Sequence, residues 1–424
     1  MKKLIFILLI FLPLIIAAQN INGRLSSSLY TFERFDTTDA SDMYVRSFQS
    51  LNLNVNKNDF SLRTRINFES DISNPLKNDP RVRFYNLYLE ARNIYKVATI
   101  KIGRQALYNS VAGGVYDGVN LKLKYDDYTF TGFYGGNVPA YQKLELTGDW
   151  SNNYVLGGKI SADVLNDFRF GLSYINKNFK PESYYATRLN SNQEPIQILI
   201  ENNSNQYEYV SAEASYNKTD LIYVNTKFDY DLNFETASKF EIDARYEQIE
   251  NLGISVYYNY REPRIRYNSI FSVFNYGNTQ EIEGGLDYRI TPAITAFGKF
   301  GNVTYKTESS QRLTAGLNTN YGSISYRKTF GYAGELDAIS LYTARTFLDG
   351  LLTPSIGLAY TGYKLSEDAE KNSITSILAG INVKPWVLWS FDLQGQFFNN
   401  KIYKNDFRLL FKINYWFNTN LDVI

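Results

Sequence analysis

The sequence predicts an all-β chain that folds as one antiparallel up-and-down β-barrel of about 22 strands, with roughly 18 to 22 as the range. Three observations predict this fold. Apolar and polar residues alternate with period two in about 22 segments of roughly 8–12 residues each. Short and long connections alternate along the chain. No stretch keeps a helical period for more than about two turns, and no change in composition indicates a domain boundary.

The N-terminal residues 1–18 have the pattern of a secretory signal peptide. Two lysines precede an apolar run at 4–16, and the small residues Ala17 and Ala18 then predict cleavage between Ala18 and Gln19. The alternative is a membrane anchor helix, but a run of about 15 residues is short for a span that needs roughly 20. We therefore assign residues 1–18 to a signal peptide and residues 19–424 to the barrel.

The predicted strands follow one another from this point to the end of the chain. They are expected near 23–33, 44–56, 60–69, 82–93, 97–104, 117–126, 127–136, 153–163, 167–177, 207–217, 221–232, 238–248, 251–261, 280–290, 293–303, 311–319, 321–330, 338–347, 351–362, 373–383, 387–398 and 406–417. The hairpin at 117–136 shows the repeating unit. Leu121 and Leu123 lie on one face, Lys122 and Lys124 lie on the other, and two aspartates form the turn.

The connections distinguish a barrel from a sandwich. Short turns alternate with longer polar loops at 71–81, 105–116, 137–152, 178–206, 262–279, 363–372 and 399–405. Short turns on one rim and long loops on the other are typical of a transmembrane barrel of the bacterial outer membrane. A Greek-key sandwich would not keep this order, and strands of about 9–11 residues suit a tilted membrane strand. The sequence therefore predicts the cell outer membrane as the location and its lipid as a partner.

Two of these loops are long enough to fold into the barrel, 178–206 and 262–279. The second contains an apolar stretch at 270–274, which is unusual for a solvated loop. It either lines the lumen or extends a strand above the membrane, and the second interpretation is favoured.

The composition excludes several classes of function. The net charge is +1, which gives no basis for nucleic-acid binding. The chain contains no Cys and no His, so thiolate metal sites and catalysis by a histidine base are excluded. We expect no enzyme activity, no cofactor and no metal centre. A weak calcium alternative remains at Asp229 and Asp231 beside Glu235, which lack a full set of spaced ligands.

Alternate residues of a strand point to the same face, which we call their parity, and the parity that carries the polar residues predicts which side chains line the lumen. A charged Lys or Arg that faced lipid at the midplane would cost about 2–4 kcal/mol of stability. The candidate lumen residues are Arg63, Arg65, Lys101, Lys122, Lys124, Arg169, Glu241, Asp243, Arg245, Asp287, Arg289, Arg327 and Arg408. The same parity also carries Glu213, Asp229, Glu247, Lys299, Arg312, Asp392 and Lys412. Two interpretations stay open. The charged side chains either create an electric field across the lumen that selects ions, or they pair across neighbouring strands and so fill and stiffen the wall.

The last predicted strand alternates aromatic and polar residues and reaches Phe417. It resembles the C-terminal strand by which the barrel-assembly machinery recognises outer-membrane proteins, and the resemblance implies that machinery as a partner. Seven residues follow Phe417, whereas the signal of that family usually ends the chain.

One local motif carries a resemblance to a known family. Gly103, Arg104 and Gln105 end a strand, and after a loop Asp117 and Gly118 begin the next one. This pattern resembles the alginate-export family of outer-membrane porins over about 20 residues. The resemblance implies a channel for an anionic polysaccharide or related solute, with lumen arginines that guide carboxylates. The alternative is structural, since the two glycines would permit a tight backbone at a rim.

These observations together predict a passive outer-membrane porin or export channel for small or polymeric solutes, biased toward anions by lumen Arg and Lys side chains. The alternative is a surface barrel that does not transport, and acts in adhesion or as a component of an envelope or secretion assembly.

Overall fold

A computed structural model describes residues 20–35, 41–75, 79–108, 111–139, 144–180, 183–201, 205–219, 221–331, 334–366, 369–401 and 405–420. The expected signal peptide lies outside these residues. Within them, 22 strands form one sheet in which sequence neighbours pair antiparallel. The first strand also pairs with the last, with Asn20 opposite Asn420, so the sheet closes on itself. The predicted closed up-and-down barrel and its strand number are confirmed.

The strands are numbered in chain order, and two of them lie outside the barrel wall. Their bounds are β1 Asn20–Phe35, β2 Ser41–Lys57, β3 Phe60–Asp71, β4 Arg81–Ile94, β5 Ala98–Leu107, β6 Gly114–Tyr125, β7 Tyr128–Val138, β8 Tyr154–Leu165, β9 Phe168–Lys177, β10 Tyr184–Leu189, β11 Pro195–Ile200, β12 Tyr207–Lys218, β13 Ile222–Asp231, β14 Thr236–Ile249, β15 Leu252–Arg261, β16 Thr279–Thr291, β17 Ile294–Tyr305, β18 Glu308–Thr319, β19 Gly322–Gly331, β20 Leu336–Ala344, β21 Leu352–Tyr363, β22 Asn372–Trp386, β23 Trp389–Asn399 and β24 Asp406–Asn420.

Tight turns lie on the rim where β1 begins and β24 ends, which we call the short-turn rim. Asn58, Asp126, Asp167 and Asn251 adopt positive φ of 49°, 51°, 66° and 61° at four of these turns. Asn and Asp tolerate this left-handed conformation better than most residues, and two-residue hairpin turns require it. The opposite rim carries the longer connections, and we call it the long-loop rim.

The alternation of the strands gives the wall two chemically different faces. On one face large aliphatic side chains are exposed, as with Ile102 (57%), Ile160 (54%) and Leu172 (58%). On the other face ion pairs join strands that are not neighbours, such as Lys159 of β8 and Glu213 of β12. Side chains converge only on the concave side of a closed sheet, so the polar face is the inner face and the apolar face points outward.

Two features of the long connections differ from the sequence prediction. The region 178–206, expected to be a loop, contains the separate hairpin β10–β11, in which Tyr185 pairs with Leu199. The apolar stretch at 270–274 was expected to extend a strand, and that expectation is wrong. Ile270–Val273 form a short 3-10 helix, and Phe271 and Phe274 are exposed. Among the described residues, no helix is long and apolar enough to cross a membrane.

Candidate functional site: the inner wall

The strand register places every predicted lumen residue on the inner face. Arg63 stands opposite Asn54 and Tyr88, and Lys101 stands opposite Glu90 and Asn120. Residues that stand opposite each other on paired strands point to the same face, so the inner face can be followed from strand to strand around the closed sheet. The residues placed on the inner face are Arg63, Arg65, Lys101, Lys122, Lys124, Arg169, Glu241, Asp243, Arg245, Asp287, Arg289, Arg327 and Arg408.

Seven of these thirteen side chains are held in ion pairs along the wall. The pairs are Arg63–Glu90 at 2.9 Å, Lys101–Glu90 at 3.7 Å, Arg169–Asp163 at 2.6 Å, Lys239–Glu241 at 2.8 Å, Arg245–Asp287 at 2.8 Å and Arg408–Asp406 at 2.7 Å. Such pairs neutralise charge locally and fix the side chains against the wall. For these residues the geometry matches the interpretation in which charges stiffen the barrel.

The other six have no oppositely charged group within 4.0 Å among the described residues. They comprise five bases and one acid: Arg65, Lys122, Lys124, Arg289, Arg327 and Asp243. Arg65, Lys122 and Lys124 are exposed on strands β3 and β6. We call these three residues the basic arc. The nearby carboxylates pair with other bases, Glu90 with Arg63 and Lys101 and Asp163 with Arg169, while the Arg65 guanidinium lies 5.3 Å from the Tyr85 ring centroid.

The acidic side chains of β12–β16 are mostly neutralised by bases on the same strands and on the adjoining strands β17 and β18. Lys227 contacts Glu213 at 3.6 Å, and Lys299 contacts Glu283 at 3.4 Å. Arg312 contacts Glu283 at 2.6 Å. Most acids of this sector are therefore paired, whereas five of the thirteen candidate residues are bases without an ion-pair partner among the described residues.

Three of these ion pairs pass over a glycine on an intervening strand. Arg312 of β18 meets Glu283 of β16 across Gly301, which stands opposite both residues in the register. The other two are Arg245–Asp287 across Gly253 and Lys159–Glu213 across Gly171. A Cβ on Gly253 would lie 2.6 Å from Nη2 of Arg245 and 2.7 Å from the Asp287 carboxylate. Sequence reasoning missed these bridges and missed Lys159. Glycines at inner-face positions between charged strands were the available signal.

The connection between β5 and β6 lies against the inner wall near the long-loop rim. Val111 and Ala112 are buried against Tyr116, Ile175 and Tyr209, all on the inner face. The backbone oxygen of Val111 accepts a hydrogen bond from Arg264 at 2.6 Å, and that of Gly113 accepts one from Lys177 at 2.9 Å. The sequence pointed to 178–206 and 262–279 as inward loops. The structure shows an apolar anchor in 105–116 instead, while 262–279 contributes Arg264.

Arg104 and Asp117 of the family-like motif come together on the outward face, whereas Gly103, Gln105 and Gly118 have inner parity. Arg104 donates two hydrogen bonds to the Asp117 carboxylate, at 2.7 and 2.8 Å, and both residues are buried. Gly103 has φ of +127°, and a Cβ there would lie 2.4 Å from a backbone oxygen. A Cβ on Gly118 would lie 2.1 Å from the Tyr134 oxygen, so both glycines permit close backbone approach. Gln105 donates to the Gly118 carbonyl at 3.2 Å.

The connection between β7 and β8 covers this ion pair. The Glu145 carbonyl accepts a hydrogen bond from Arg104 at 2.7 Å, and the Thr147 N–H donates to Asp117 at 2.7 Å. Trp150 packs edge-on against Tyr134 on the outward face, with ring centroids 5.5 Å apart. In the same loop, hydrogen bonds from the Ser151 hydroxyl and the Asn152 amide lower the pKa of Asp149. The motif thus fixes a loop on the outside of the wall.

The weak calcium alternative gains no support from the geometry. Asp231 caps a turn by accepting hydrogen bonds from the N–H groups of Asn233 and Phe234 at 3.0 and 3.2 Å. Asp229 is fully buried with Lys227 3.9 Å away. Within the described part of the chain, no group of three or more acidic side chains is arranged to hold a metal ion.

Comparison with known proteins gives a likeness of overall structure at low sequence identity. No protein-family model matches the chain, and no curated protein sequence matches it. The solved structures that it resembles include OccAB4 of Acinetobacter baumannii, 11% identical with a TM-score of 0.44 over 95% of this chain and 99% of that one. They also include the PapC translocation pore of the P pilus usher, 9% identical with a TM-score of 0.45 over 94% and 99%. OpdQ of Pseudomonas aeruginosa is 8% identical with a TM-score of 0.42 over 94% and 98%.

Proposed function

We propose that the protein is a passive channel of the bacterial outer membrane whose inner wall favours anions. The observation that carries the proposal is the basic arc: Arg65, Lys122 and Lys124 are exposed on the inner face and have no carboxylate within 4.0 Å among the described residues. A closed wall of 22 strands is wider than its own side chains can fill. Solutes would move down their gradients through this lumen, and fixed positive charge would raise the local concentration of anions.

The outward face supports a lipid environment. Its exposed aliphatic side chains would be costly in water and are suited to the hydrocarbon layer. The sheet has no free edge because β1 pairs with β24, and a closed sheet is the condition for strands in a membrane. We propose that β24 is the strand offered to the barrel-assembly machinery.

The class of solute is a finer proposal. The alginate-export resemblance implies an anionic polysaccharide, but its motif residues Arg104 and Asp117 pair with each other on the outward face. The proposal that the channel favours anions therefore rests on the inner wall. It covers both small and polymeric anions.

A second candidate function is a surface barrel that does not transport. Two observations favour it: the β5–β6 connection occupies part of the inner wall, and the hairpin β10–β11 presents exposed Tyr184, Tyr185 and Leu189. Such a barrel would use its loops for adhesion or for contact with an envelope assembly.

A planar-bilayer recording separates these functions. Folded protein in a potassium chloride gradient should give stepwise ionic currents with a reversal potential on the chloride side. Well-folded protein that inserts without conducting would contradict the channel and favour the second candidate. Currents that reverse on the potassium side would refute the anion bias alone.

A further inference from the structure

Uncharged amide side chains cover the inner wall at the short-turn rim, where β24, β1 and β2 pair. The register places them in two adjacent rows, and each row takes one asparagine from each of the three strands. They have the inner parity of Arg63, which stands opposite the Asn54 of one row. We call these six residues the amide patch: Asn20, Asn22, Asn54, Asn56, Asn418 and Asn420.

Hydrogen bonds within the amide patch hold its side chains in fixed orientations. Asn54 donates to Asn22 at 3.0 Å, and Asn22 donates to Asn20 at 2.5 Å. Asn20 in turn donates to the side-chain oxygens of Asn418 and Asn420, at 2.7 and 2.6 Å. Because neighbouring amides fix one another, a ligand that binds them would immobilise few additional side-chain rotamers.

The amide patch keeps unused hydrogen-bonding capacity, because each amide offers two N–H donors and an oxygen with two lone pairs. Among the described residues, the side-chain oxygen of Asn54 accepts no hydrogen bond, and the side-chain nitrogens of Asn418 and Asn420 donate none. The Asn54 oxygen is open to solvent, and both β24 amides are exposed. Donors and acceptors of the patch therefore remain accessible from the lumen.

An aromatic ring lies next to the amide patch on the same face. Trp416 of β24 stands opposite Arg24, one inner-face row from Asn418, at a spacing of about 7 Å along the strand. Trp416 is 36% exposed, and among the described residues neither a second ring nor a cation lies over its indole. The row continues to Asn52 of β2, whose amide has no hydrogen-bond partner in the described part of the chain. An uncovered indole thus borders a surface of accessible amides.

The chemistry of this surface differs from that of the basic arc. The amide patch carries no formal charge, and the base at the β3 end of its row, Arg63, pairs with Glu90 at 2.9 Å. A hydroxyl group both donates and accepts hydrogen bonds, as an amide does, so the two groups are complementary. A sugar ring also presents a face of C–H groups, whose partial positive charge suits the negative face of an indole. Arg24, one row from Asn22 on β1, contributes N–H donors that hydroxyl oxygens also accept.

We infer that the amide patch and Trp416 form a binding subsite for a neutral oligosaccharide, in which one sugar ring stacks on Trp416 and the hydroxyl groups of the next sugars bind the amides. The rows of the patch and the row of Trp416 together span about 14 Å along the strands, which suits several linked sugars better than one. The inference goes beyond the proposed function, because this subsite selects hydroxyl groups and not charge.

The test measures binding of maltotriose and of cellotriose to the folded barrel in lipid nanodiscs. Ligand-observed NMR titration gives each Kd without requiring conduction, and tetraethylene glycol is the comparison because it is neutral but lacks sugar rings and most hydroxyl groups. At least one trisaccharide should bind about threefold to tenfold more tightly than the glycol, since hydrogen bonds and stacking both favour it. If neither trisaccharide binds more tightly than the glycol, the subsite is overturned.

The salt dependence of the same Kd tests whether the ligand is recognised without charge. Raising potassium chloride from about 0.1 M to about 1 M should change the Kd by less than about twofold, because a neutral ligand makes no ion pair for salt to screen. A Kd that weakens about tenfold over this range would assign the binding to fixed charge such as Arg24 and would overturn the amide subsite.

Matched variants assign the binding to these residues. Trp416→Leu should weaken the trisaccharide about threefold to tenfold, because it removes the stacking face but keeps apolar bulk. Asn54→Leu should weaken it to a similar extent, about threefold to tenfold, through the lost hydrogen bonds. Trp389→Leu is the control, since Trp389 pairs with Tyr415 on the outward face of the wall.

Heat-modifiable mobility shows that each variant is folded before its Kd is measured. If Trp416→Leu and Trp389→Leu change trisaccharide binding equally, the assignment to the inner face is wrong. A folded barrel that binds the trisaccharide but carries no current would refute the channel and leave the subsite standing.

Discussion

Arg104 and Asp117 form a bidentate ion pair between β5 and β6 in which the two residues are 2% and 3% exposed. Further hydrogen bonds of the pair go to the backbone of the β7–β8 connection, through Glu145 and Thr147. Burying two charges costs desolvation free energy, which their mutual attraction offsets only while both partners are present. The outer wall at this rim therefore depends on two residues that are thirteen positions apart.

Removing one partner of this pair should destabilise the barrel. Asp117→Asn would leave the Arg104 charge buried without its partner, at a cost of about 3–5 kcal/mol. Urea unfolding followed by the heat-modifiable mobility of the folded barrel measures the loss. The double variant Arg104→Met with Asp117→Leu should recover most of the stability, because it removes both charges. A double variant as unstable as Asp117→Asn would show that specific hydrogen bonds, rather than the unpaired charge, carry the effect.

The glycines beneath the inner ion pairs should resist substitution. A Cβ at Gly253 would contact both Arg245 and Asp287, so Gly253→Ala should separate the pair and cost about 1–3 kcal/mol. Gly284→Ala on the outward face is the control, since nothing lies within 4 Å of its Cβ position. Unfolding midpoints in urea measure both variants. Equal midpoints would mean that the ion pair shifts freely around the new methyl group.

The basic arc should set the ion preference of the pore. Lys122→Glu replaces an unpaired inner-face cation by an anion and should lower the chloride-to-potassium permeability ratio by about half. Arg188→Glu makes the same change in charge on hairpin β10–β11, outside the barrel wall. Reversal potentials in a salt gradient measure both variants. A shift of the same size in Arg188→Glu would assign the preference to total charge and not to the inner wall.

The β5–β6 connection should limit the conductance. Replacing residues 109–113 with a short Gly-Ser turn removes Val111 and Ala112 from the inner wall and frees Arg264. Single-channel conductance should rise by about twofold, because a wider constriction admits more ions. Replacing hairpin β10–β11 with a similar turn is the control, since in the described residues its strands pair only with each other. An unchanged conductance in the first variant would place the constriction elsewhere.

Much of the fold follows from local pattern. Period-two alternation gives the strand faces directly, so the inner parity of Lys122 and the outward parity of Leu121 could be read from the chain. Asp126 and Asp127 could be read as a turn because their chemistry suits a two-residue hairpin. The closed barrel of 22 strands was therefore predictable, as was the inner-face position of the candidate charged residues.

The sequence by itself determined the strand order, the two faces and the absence of histidine chemistry. Only the tertiary structure decided which charged side chains form ion pairs with one another. Whether Arg245 meets Asp287 depends on the spacing of β14 and β16 across Gly253, and residues 42 positions apart carry no local signal of that contact. The stacking of Phe32 on Tyr44 likewise depends on the register of β1 with β2. Alternation is a property of one strand, whereas these contacts depend on the register and curvature of several paired strands, which place side chains of separate strands side by side on the concave face.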